Sequence, residues 1–323
     1  MAVNEGMPDA ATLAAIRSDI EAYERARISA GRSVNWRLPL GLGLVVLAVL
    51  LVARFLNRFA DPLEQWLSAP HVFLYVLGLA AAIAAYVWAG APARRAQDDG
   101  REKTLFPSIF RFIDDLRYTR GSAPASFDRF PREMVGAFDR ESFDDVIAGR
   151  YRGFPFELFE VKLGGETPKG SGDAGDVFKG VGLVFEAAQP FPGFLVARAR
   201  TAQKTGFLSA IFGSFSSLDE IKSGVSDLEA SYEFRTDNLE AASPLIVGRL
   251  VRALKWLIET WPKGQPLVAL KGGDAFVLLP MERNYFDLPG PSAPIDYDRD
   301  IKPMIAELVA LLETAALVRR VTG

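Results

Sequence analysis

The sequence predicts an α+β protein in which a two-helix transmembrane hairpin is joined to a cytoplasmic domain of mostly antiparallel strands with packed helices. Two apolar runs near the N-terminus each approach the roughly 20 residues that a membrane-spanning helix needs. From residue 143 onward, segments rich in aromatic and branched side chains are typical of strands. Amphipathic helical patterns follow them. The order of strands, helix, hairpin and helix favours the α+β class.

Residues 1–37 are predicted to form a juxtamembrane helix. Leu13, Ile16, Ile20 and Tyr23 recur at three- and four-residue steps, which is helical periodicity. The apolar stripe is narrow and the other residues are largely charged, as in a helix surrounded by water. The alternative is a helix that pairs with another helix or with a second copy of itself. This helix is therefore the candidate surface for a homo-oligomer.

Residues 38–91 are predicted to form the transmembrane hairpin, with spans at about 38–56 and 72–90. The first span contains one charge, Arg54, and the second contains none. A buried helix of a water-soluble protein normally keeps a polar stripe. The polar segment before the first span is also too long for a cleaved signal peptide. Lys and Arg concentrate before the first span and after the second, so both termini are predicted to be cytoplasmic.

The segment 92–126 is predicted to contain a connecting helix. Between residues 103 and 116 the apolar side chains share one helical face, and Pro107 falls in the first turn, where proline is tolerated. Glycine and proline within residues 121–125 indicate a break before the domain at 127–323.

The predicted domain at 127–323 begins with two strands around a turn at Arg152–Gly153. Two further hairpins are predicted, one within residues 177–200 and one around Gly272–Gly273. The reason is that Gly or Pro interrupts each of these apolar runs, as it does in many turns.

Two helices complete the predicted domain. Ser243 and Pro244 resemble a cap and a first-turn proline, so a helix is expected to open there. The last helix is expected from about Asp300, its cap, to Arg319. Leu308 lies in the middle of its apolar face, and we expect this side chain to be buried against the sheet.

The composition excludes several kinds of site. The chain has 323 residues, a net charge of −3, no cysteine and a single histidine, His71. Nucleic-acid binding is not expected, because phosphate contacts need clustered Lys and Arg. The domain at 127–323 contains neither histidine nor cysteine, which excludes a Ser-His-Asp triad, a thiolate nucleophile and a zinc site built from these residues.

Carboxylates are the remaining candidates for chemistry. Glu157 and Glu160 lie three apart on one strand and are expected to point to opposite faces. Glu160 is expected to form a surface ion pair with Lys162. Asp144 and Asp145 are adjacent and are also expected to diverge. Carboxylates from different loops remain an alternative source of a Mg²⁺ or Ca²⁺ site, but no residue is assigned a catalytic, cofactor-binding or metal-binding role.

The stretch 205–218 supplies the candidate contact residues. Five large apolar side chains are separated there by small residues. They are Phe207, Leu208, Ile211, Phe212 and Phe215. One interpretation is a loop helix that caps the sheet. The other is a segment that contacts the membrane interface, a lipid or a partner, and this is the contact site that we predict.

Several stretches of the chain resemble one bacterial family. They are the apolar hairpin followed by a helix and Tyr118, the segment 144–163 with Gly149, Phe156 and Glu160, the segment 177–187 with Gly180, the segment 191–199, the segment 227–254, and the segment 274–280 followed by Phe286. The family is the one named domain of unknown function 3137, a group of predicted membrane proteins. The resemblance covers nearly the whole chain. It implies a bacterial membrane protein without an assigned activity, and it supplies no catalytic residue.

The predicted function is that of a non-enzymatic binding or scaffold domain on an integral protein of the bacterial cytoplasmic membrane. Its partners would be the lipid bilayer and a lipid, peptide or protein ligand. The alternative is a carboxylate- or divalent-metal-dependent enzyme on a membrane anchor. A pocket lined by three or more convergent carboxylates would favour the enzyme. A shallow apolar groove or an exposed sheet edge would favour binding.

Overall fold

The computed structural model describes most of the chain outside the apolar runs. The described residues are 6–34, 104–135, 138–165, 176–200, 218–261, 266–286, 288–289 and 293–321, with Gly43, Leu47, Leu51, Arg54 and Ala80. The chain divides into two units. One unit is Met1–Ile16 with Pro107–Gly323, and the other is Arg17–Phe106.

The N-terminal helix, α1, spans Ala10–Val34 and continues from the first unit into the second. It begins at a side-chain cap, because Asp9 Oδ1 accepts a hydrogen bond from the Thr12 N–H at 2.7 Å. The hydrogen bond to this cap also lowers the pKa of Asp9. A helix is therefore present where the spacing of apolar residues predicts one. Within the second unit, Ile20 is buried and Ile28 is half exposed.

No helix in the described part of the chain is long and apolar enough to cross a bilayer. The predicted localisation, an integral protein of the bacterial cytoplasmic membrane with both termini cytoplasmic, is contradicted by this finding. The two longest described helices, Ala10–Val34 and Lys302–Val321, carry charged side chains along their length, which hydrocarbon does not readily accept. The predicted spans 38–56 and 72–90 lie outside the described residues, apart from five isolated helical positions.

The described strands form one antiparallel sheet, and the α+β class is confirmed. The strands are β1 (Asp114–Arg120), β2 (Arg140–Tyr151), β3 (Phe154–Gly164), β4 (Asp176–Ala199), β5 (Asp219–Ile221), β6 (Tyr232–Thr236) and β7 (Leu267–Pro280). Their order is β1-β2-β3-β4-β6-β5, and β7 pairs with β4. The other helices are α2 (Phe106–Ile109), α3 (Ser226–Ser231), α4 (Leu239–Ile246), α5 (Arg249–Thr260) and α6 (Lys302–Val321).

The turn between β2 and β3 is the predicted one. Tyr151 pairs with Phe154, which leaves a two-residue loop. Arg152 and Gly153 have φ values of 48° and 83°, as in a type I′ turn, whose twist matches that of the flanking strands. The Arg152 side chain is held by Glu313 of α6, with Nη2 and Oε1 2.6 Å apart.

The two further hairpins were predicted wrongly, because each is one long strand. β4 and β7 pair with each other along most of their lengths, and the register shifts between Glu186 and Phe194, where β4 has more residues than β7. Gly272 lies in the middle of β7 with a φ of 57° and pairs with Phe191. Glycine and proline occur at irregular positions within strands as well as in turns. Their presence in an apolar run therefore does not by itself predict a turn.

Three other boundaries differ from the sequence predictions. The helix predicted for residues 103–116 is limited to α2, and β1 begins at Asp114. Helix α4 opens at Asn238, whose side chain accepts from the Ala241 N–H, so Pro244 lies inside the helix rather than in its first turn. The single turn of π-helix before α6 is capped by Asp296 and not by Asp300, since Asp296 Oδ1 accepts from the Arg299 N–H at 2.8 Å.

Both faces of the sheet are covered. Alternate residues of β3, such as Phe159 and Val161, belong to one cluster that includes side chains of the segment 127–135. Leu158, which precedes Phe159 and so belongs to the other face of β3, is also buried, as expected for a strand with two covered faces. α6 packs against α5, β4 and β7. Leu308 of α6 is fully buried, so its predicted burial is confirmed.

Truncation of Leu308 tests the packing of α6. We expect Leu308→Ala to lower the free energy of unfolding by about 2–5 kcal/mol, because it leaves a cavity beneath the helix. The exposed Lys302 on the same helix provides a control, and Lys302→Ala is expected to change stability by less than about 0.5 kcal/mol. Chemical denaturation of both variants measures the difference. Equal midpoints would show that α6 does not depend on this contact.

A matched pair of glycines tests the close approach of β4 and β7. A Cβ added at Gly180 would lie 2.1 Å from the Leu279 carbonyl oxygen, whereas one added at Gly273 meets nothing within 4 Å. We expect Gly180→Ala to cost about 1–3 kcal/mol or more, because backbone must move. Gly273→Ala should be nearly neutral. Thermal melts of the two variants would contradict this packing if Gly273→Ala were the less stable.

Candidate functional site

Two carboxylates of β2 face one carboxylate of β3 because of a β-bulge. Phe143 pairs with Val161 and Val146 pairs with Phe159, so Asp144 and Asp145 together lie opposite the single residue Glu160. In a regular strand two adjacent side chains point to opposite faces, but the extra residue of a bulge re-aims one of them. One carboxylate oxygen from each of Asp144, Asp145 and Glu160 lies within 4.8 Å of the others. The prediction that Asp144 and Asp145 diverge is wrong for this reason.

These three residues are here called the carboxylate trio, and side chains on both sides orient its two aspartates. On the β1 side, the Tyr118 hydroxyl donates to Asp145 Oδ1, and Arg120 Nε donates to Asp144 Oδ1 at 2.9 Å. On the other side, Asn284 Nδ2 donates to Asp144 Oδ2 at 3.3 Å. Burial, followed by the hydrogen bond to Asp145, raises the pKa of Tyr118 well above its ordinary value. Tyr118 therefore stays protonated and acts as a hydrogen-bond donor.

Glu160 is buried, as Asp145 is, whereas Asp144 is only partly buried. Glu160 Oε1 accepts a hydrogen bond from the Phe286 N–H at 2.8 Å. Burial is the largest cause that raises the pKa of Glu160, and together with the charges of Asp145 and Asp144 it brings the pKa to about 7 against the opposing effect of backbone hydrogen bonds. The prediction of a surface ion pair between Glu160 and Lys162 is wrong about the environment, because Glu160 is not at the surface.

A pocket of about 260 Å³ opens beside the trio. Its walls come from β2, β3, β4 and the segment that follows β7. The charged and phenolic residues of these walls are Asp144, Glu160, Lys162, Lys179, Arg283 and Tyr285. Two of the cations contact protein acceptors. Lys179 Nζ donates to the Glu282 carbonyl at 2.5 Å, and Arg283 Nη2 lies 2.6 Å from Glu307 Oε1.

Tyr285 is the unusual polar group of this pocket. It is buried, and its hydroxyl makes no hydrogen bond within the described part of the chain. Burial raises the pKa of Tyr285 well above its ordinary value, and the charges of Glu307 and Glu160 contribute in the same direction. A buried hydroxyl without a partner loses the free energy of its bonds to water. Such a group in a native fold therefore calls for a specific explanation.

The arrangement suits two kinds of chemistry. Convergent carboxylate oxygens are the ligands that hard cations prefer. A carboxyl group with a pKa near neutral pH can also exchange a proton during a reaction. With no cysteine in the chain and its only histidine at position 71, the carboxylates and phenols of the described pocket would have to supply either chemistry.

The predicted contact residues do not belong to this site. Phe207, Leu208, Ile211, Phe212 and Phe215 lie outside the described residues, so their role as a membrane or partner contact stays a prediction. Sequence reasoning instead overlooked the carboxylate trio. A signal for it was present, because a two-residue turn at Arg152–Gly153 places Asp145 directly across from Glu160, and two like charges in that position are unfavourable without a function or a partner.

Comparisons with known proteins assign no role to the residues of the site. No protein-family model matches the chain, and no curated protein matches it in sequence. The resemblance to domain of unknown function 3137 therefore stays a prediction. A crystal structure of the mycobacterial trehalose monomycolate transport factor A aligns at 12% sequence identity and a TM-score of 0.39. The alignment covers 64% of this chain and 86% of that chain. A score this low transfers neither a fold nor a function.

The raised pKa of Glu160 predicts how stability depends on pH. The folded state holds the Glu160 proton up to about pH 7, whereas the unfolded chain releases it near pH 4.5. The free energy of unfolding should therefore fall as pH rises from about 4.5 to about 7, by about 3 kcal/mol from this group, and then level off. Glu160→Gln keeps an acceptor for the Phe286 N–H and should lack this decline.

The measurement is urea denaturation at pH 5 and pH 8 in the presence of a chelator. Relative to wild type, Glu160→Gln is expected to gain roughly 2–3 kcal/mol between these two pH values. Glu141→Gln, an exposed change on β2, is the matched control and should follow wild type. Parallel pH profiles for wild type and Glu160→Gln would show that Glu160 is ionised in the folded protein at pH 5.

Proposed function

We propose that the α+β unit is a binding domain whose pocket takes a small ligand bearing positive charge. The observation that carries this proposal is the convergence of Asp144, Asp145 and Glu160, with an oxygen of each within 4.8 Å of the others, beside a pocket that Asp144 and Glu160 line. Three carboxylates close together repel one another unless a cation lies between them. A cationic ligand would relieve this repulsion.

The charges around the trio support a cation in particular. Arg120 contacts Asp144 at 2.9 Å and balances one of the three negative charges. Glu160 accepts from a backbone N–H, which is neutral. Arg283 is paired with Glu307, and Lys179 donates to a carbonyl group. Two cations of the pocket wall, Lys179 and Arg283, therefore have acceptors outside the trio.

The size of the pocket limits the ligand. Sites for drug-sized molecules usually have volumes of roughly 300–1,000 Å³. The pocket here, at about 260 Å³, lies below that range. The ligand is thus an ion or a small molecule. A folded partner would contact only the rim of the pocket.

A peptide that adds to the edge of the sheet is less well supported. β1 is an edge strand and is largely exposed. It carries Asp114, Asp115, Arg117 and Arg120 within seven residues. Charged side chains on an edge strand oppose pairing with a further strand. Self-association through α1 stays a separate proposal that these contacts do not address.

A second candidate function is supported by a different observation. The pKa of Glu160, raised to about 7 by burial, suits a general acid or base at neutral pH. This is the carboxylate-dependent enzyme that the sequence leaves as the alternative. We place binding first because binding needs only the convergent oxygens. Catalysis needs in addition a second group that acts on the same bond of a substrate.

Thermal denaturation of the full chain tests the proposal. The probes are chloride salts of Ca²⁺, Mg²⁺ and Mn²⁺, and small amines such as ethylenediamine and glycine ethyl ester. At a ligand concentration of 100 times Kd, binding stabilises the fold by about 2.7 kcal/mol, which corresponds to a rise of several degrees in Tm. We expect at least one probe to stabilise wild type and Glu141→Gln but not Glu160→Gln.

Two results would count against a binding domain. Either no probe stabilises wild type at millimolar concentration, or Glu160→Gln responds as wild type does. Conversion of a stabilising amine ester to a product, detected by mass spectrometry and absent for Glu160→Gln, would favour the enzyme instead.

A further inference from the structure

We infer that the segment 282–286, here called the strap, is a gate on the pocket, which opens and closes over Glu160 while the sheet stays folded. This inference rests on the proposed function and extends it, because it states how the pocket becomes accessible to a ligand. Its test uses no ligand, so that its failure and the failure of the proposed function are distinguishable. The supporting observations are the position of the strap, the residues that hold it and the burial of the Tyr285 hydroxyl.

The strap is the wall of the pocket that lies outside the sheet. The other lining residues belong to β2, β3 and β4, apart from Met281, which lies between β7 and the strap. Each of these three strands is paired with a neighbour on both sides. The strap itself contains neither helix nor strand. A segment without the hydrogen bonds of a sheet can open at a lower free energy than the strands beside it.

The start of the strap has a fixed origin at Met281. The Met281 N–H donates to the Lys179 carbonyl at 3.0 Å, and this bond continues the pairing of β4 with β7. The next contact lies at the surface, because the Arg283 side chain is 61% exposed and its Nη2 lies 2.6 Å from Glu307 Oε1 of α6. An exposed ion pair contributes little to stability. The strap can therefore move away from the pocket about Met281 at a small cost in this contact.

Two carboxylates of the pocket hold the far part of the strap. The Phe286 N–H donates to Glu160 Oε1 at 2.8 Å, and Asn284 Nδ2 donates to Asp144 Oδ2 at 3.3 Å. Glu160 is buried in this closed arrangement. The same carboxylates are the binding groups of the proposed function. A ligand that binds them more tightly in one arrangement than in the other therefore shifts the position of the strap.

The Tyr285 hydroxyl lowers the stability of the closed arrangement. It is buried and has no hydrogen-bond partner among the described residues. Closure thus removes this hydroxyl from water without replacing its hydrogen bonds, which costs free energy. Aromatic packing acts in the opposite direction, since Phe286 meets the rings of Tyr285 and Phe110 edge-on. The difference between these two effects favours closure only modestly, and opening is correspondingly less costly.

Hydrogen–deuterium exchange of the full chain, read by mass spectrometry with overlapping peptides, tests this inference. The Phe286 amide reports on the strap, and amides at the centre of β7 report on the sheet. After correction for intrinsic rates, we expect the Phe286 amide to exchange at least about tenfold faster than those of β7. Low concentrations of urea should accelerate exchange in β7 but not at Phe286, because opening of the strap exposes little surface.

Three substitutions separate opening of the strap from unfolding of the sheet. Tyr285→Phe removes the hydroxyl that closure leaves without a partner, and it should slow exchange at Phe286 by about fivefold or more. Asn284→Ala removes the contact to Asp144 and should accelerate this exchange by about two- to tenfold. Ile246→Val, a buried change on α4, should accelerate exchange in β7 and leave Phe286 unchanged, because it weakens only the global fold.

Lys222→Ala is the matched control for the loss of a side-chain contact. The Lys222 side chain is 64% exposed and its Nζ lies 3.0 Å from Glu220 Oε1, and neither residue lines the pocket. This substitution should change neither exchange rate. Should a variant fail to fold, the urea dependence of the wild-type chain carries the test.

Exchange of Phe286 and β7 at equal rates, with equal urea dependence, would show that strap and sheet open together and would overturn the inference. Acceleration of both by Ile246→Val, or an unchanged rate at Phe286 in Tyr285→Phe, leads to the same conclusion. These results leave cation binding open to its own test by thermal denaturation. If no probe stabilises the protein but Phe286 exchanges through its own opening, the proposed function fails and the gate is retained.

Discussion

The two-residue turn at Arg152–Gly153 sets the register of β2 against β3, and the position of the carboxylate trio depends on that register. The residues of β2 and β3 pair in regular register from Tyr151 with Phe154 to Val146 with Phe159. A slip by one residue would move every side chain of the strand to the other face. The turn therefore keeps Phe159 in the apolar cluster and Glu160 on the face that carries the pocket.

The β-bulge at Asp144 and Asp145, next to this regular stretch, lowers the stability of the fold. It brings a third negative charge beside Glu160 in a partly dehydrated site, where interactions between charges are stronger than in water. The aromatic packing of the opposite face offsets this cost, since Phe127 contacts Phe130, Phe143 and Phe159 through stacked and edge-on ring pairs. A site that weakens the fold is expected where function, rather than stability, determines the residues.

Much of the fold could be predicted from the sequence wherever a local pattern is compatible with only one structure. The Arg152–Gly153 turn, the strands beside it and the burial of Leu308 follow from turn preference and periodicity. The misplaced hairpins show the limit of such reasoning, because Gly272 lies within the continuous strand β7, opposite an irregular stretch of β4, rather than in a turn. The trio was missed because alternation predicts that Asp144 and Asp145 diverge, and a single sequence does not reveal the bulge that overrides this rule.

The length of β4 has a consequence for how the sheet comes apart. β4 pairs with β3 through its first half and with β6 through its second half, and β7 pairs with both halves. The described strands therefore have no seam along which one half of the sheet could detach while the other stays folded. Partial opening should start at the short or exposed outer strands β1 and β5. β7 pairs only with β4 but is long and mostly buried, so β4 and β7 should open only in global unfolding. Backbone amides at the centre of β4 and β7 should accordingly exchange their hydrogens with solvent more slowly than any others in the domain. The amides of the two strands should also exchange at similar rates, because both strands open in the same event.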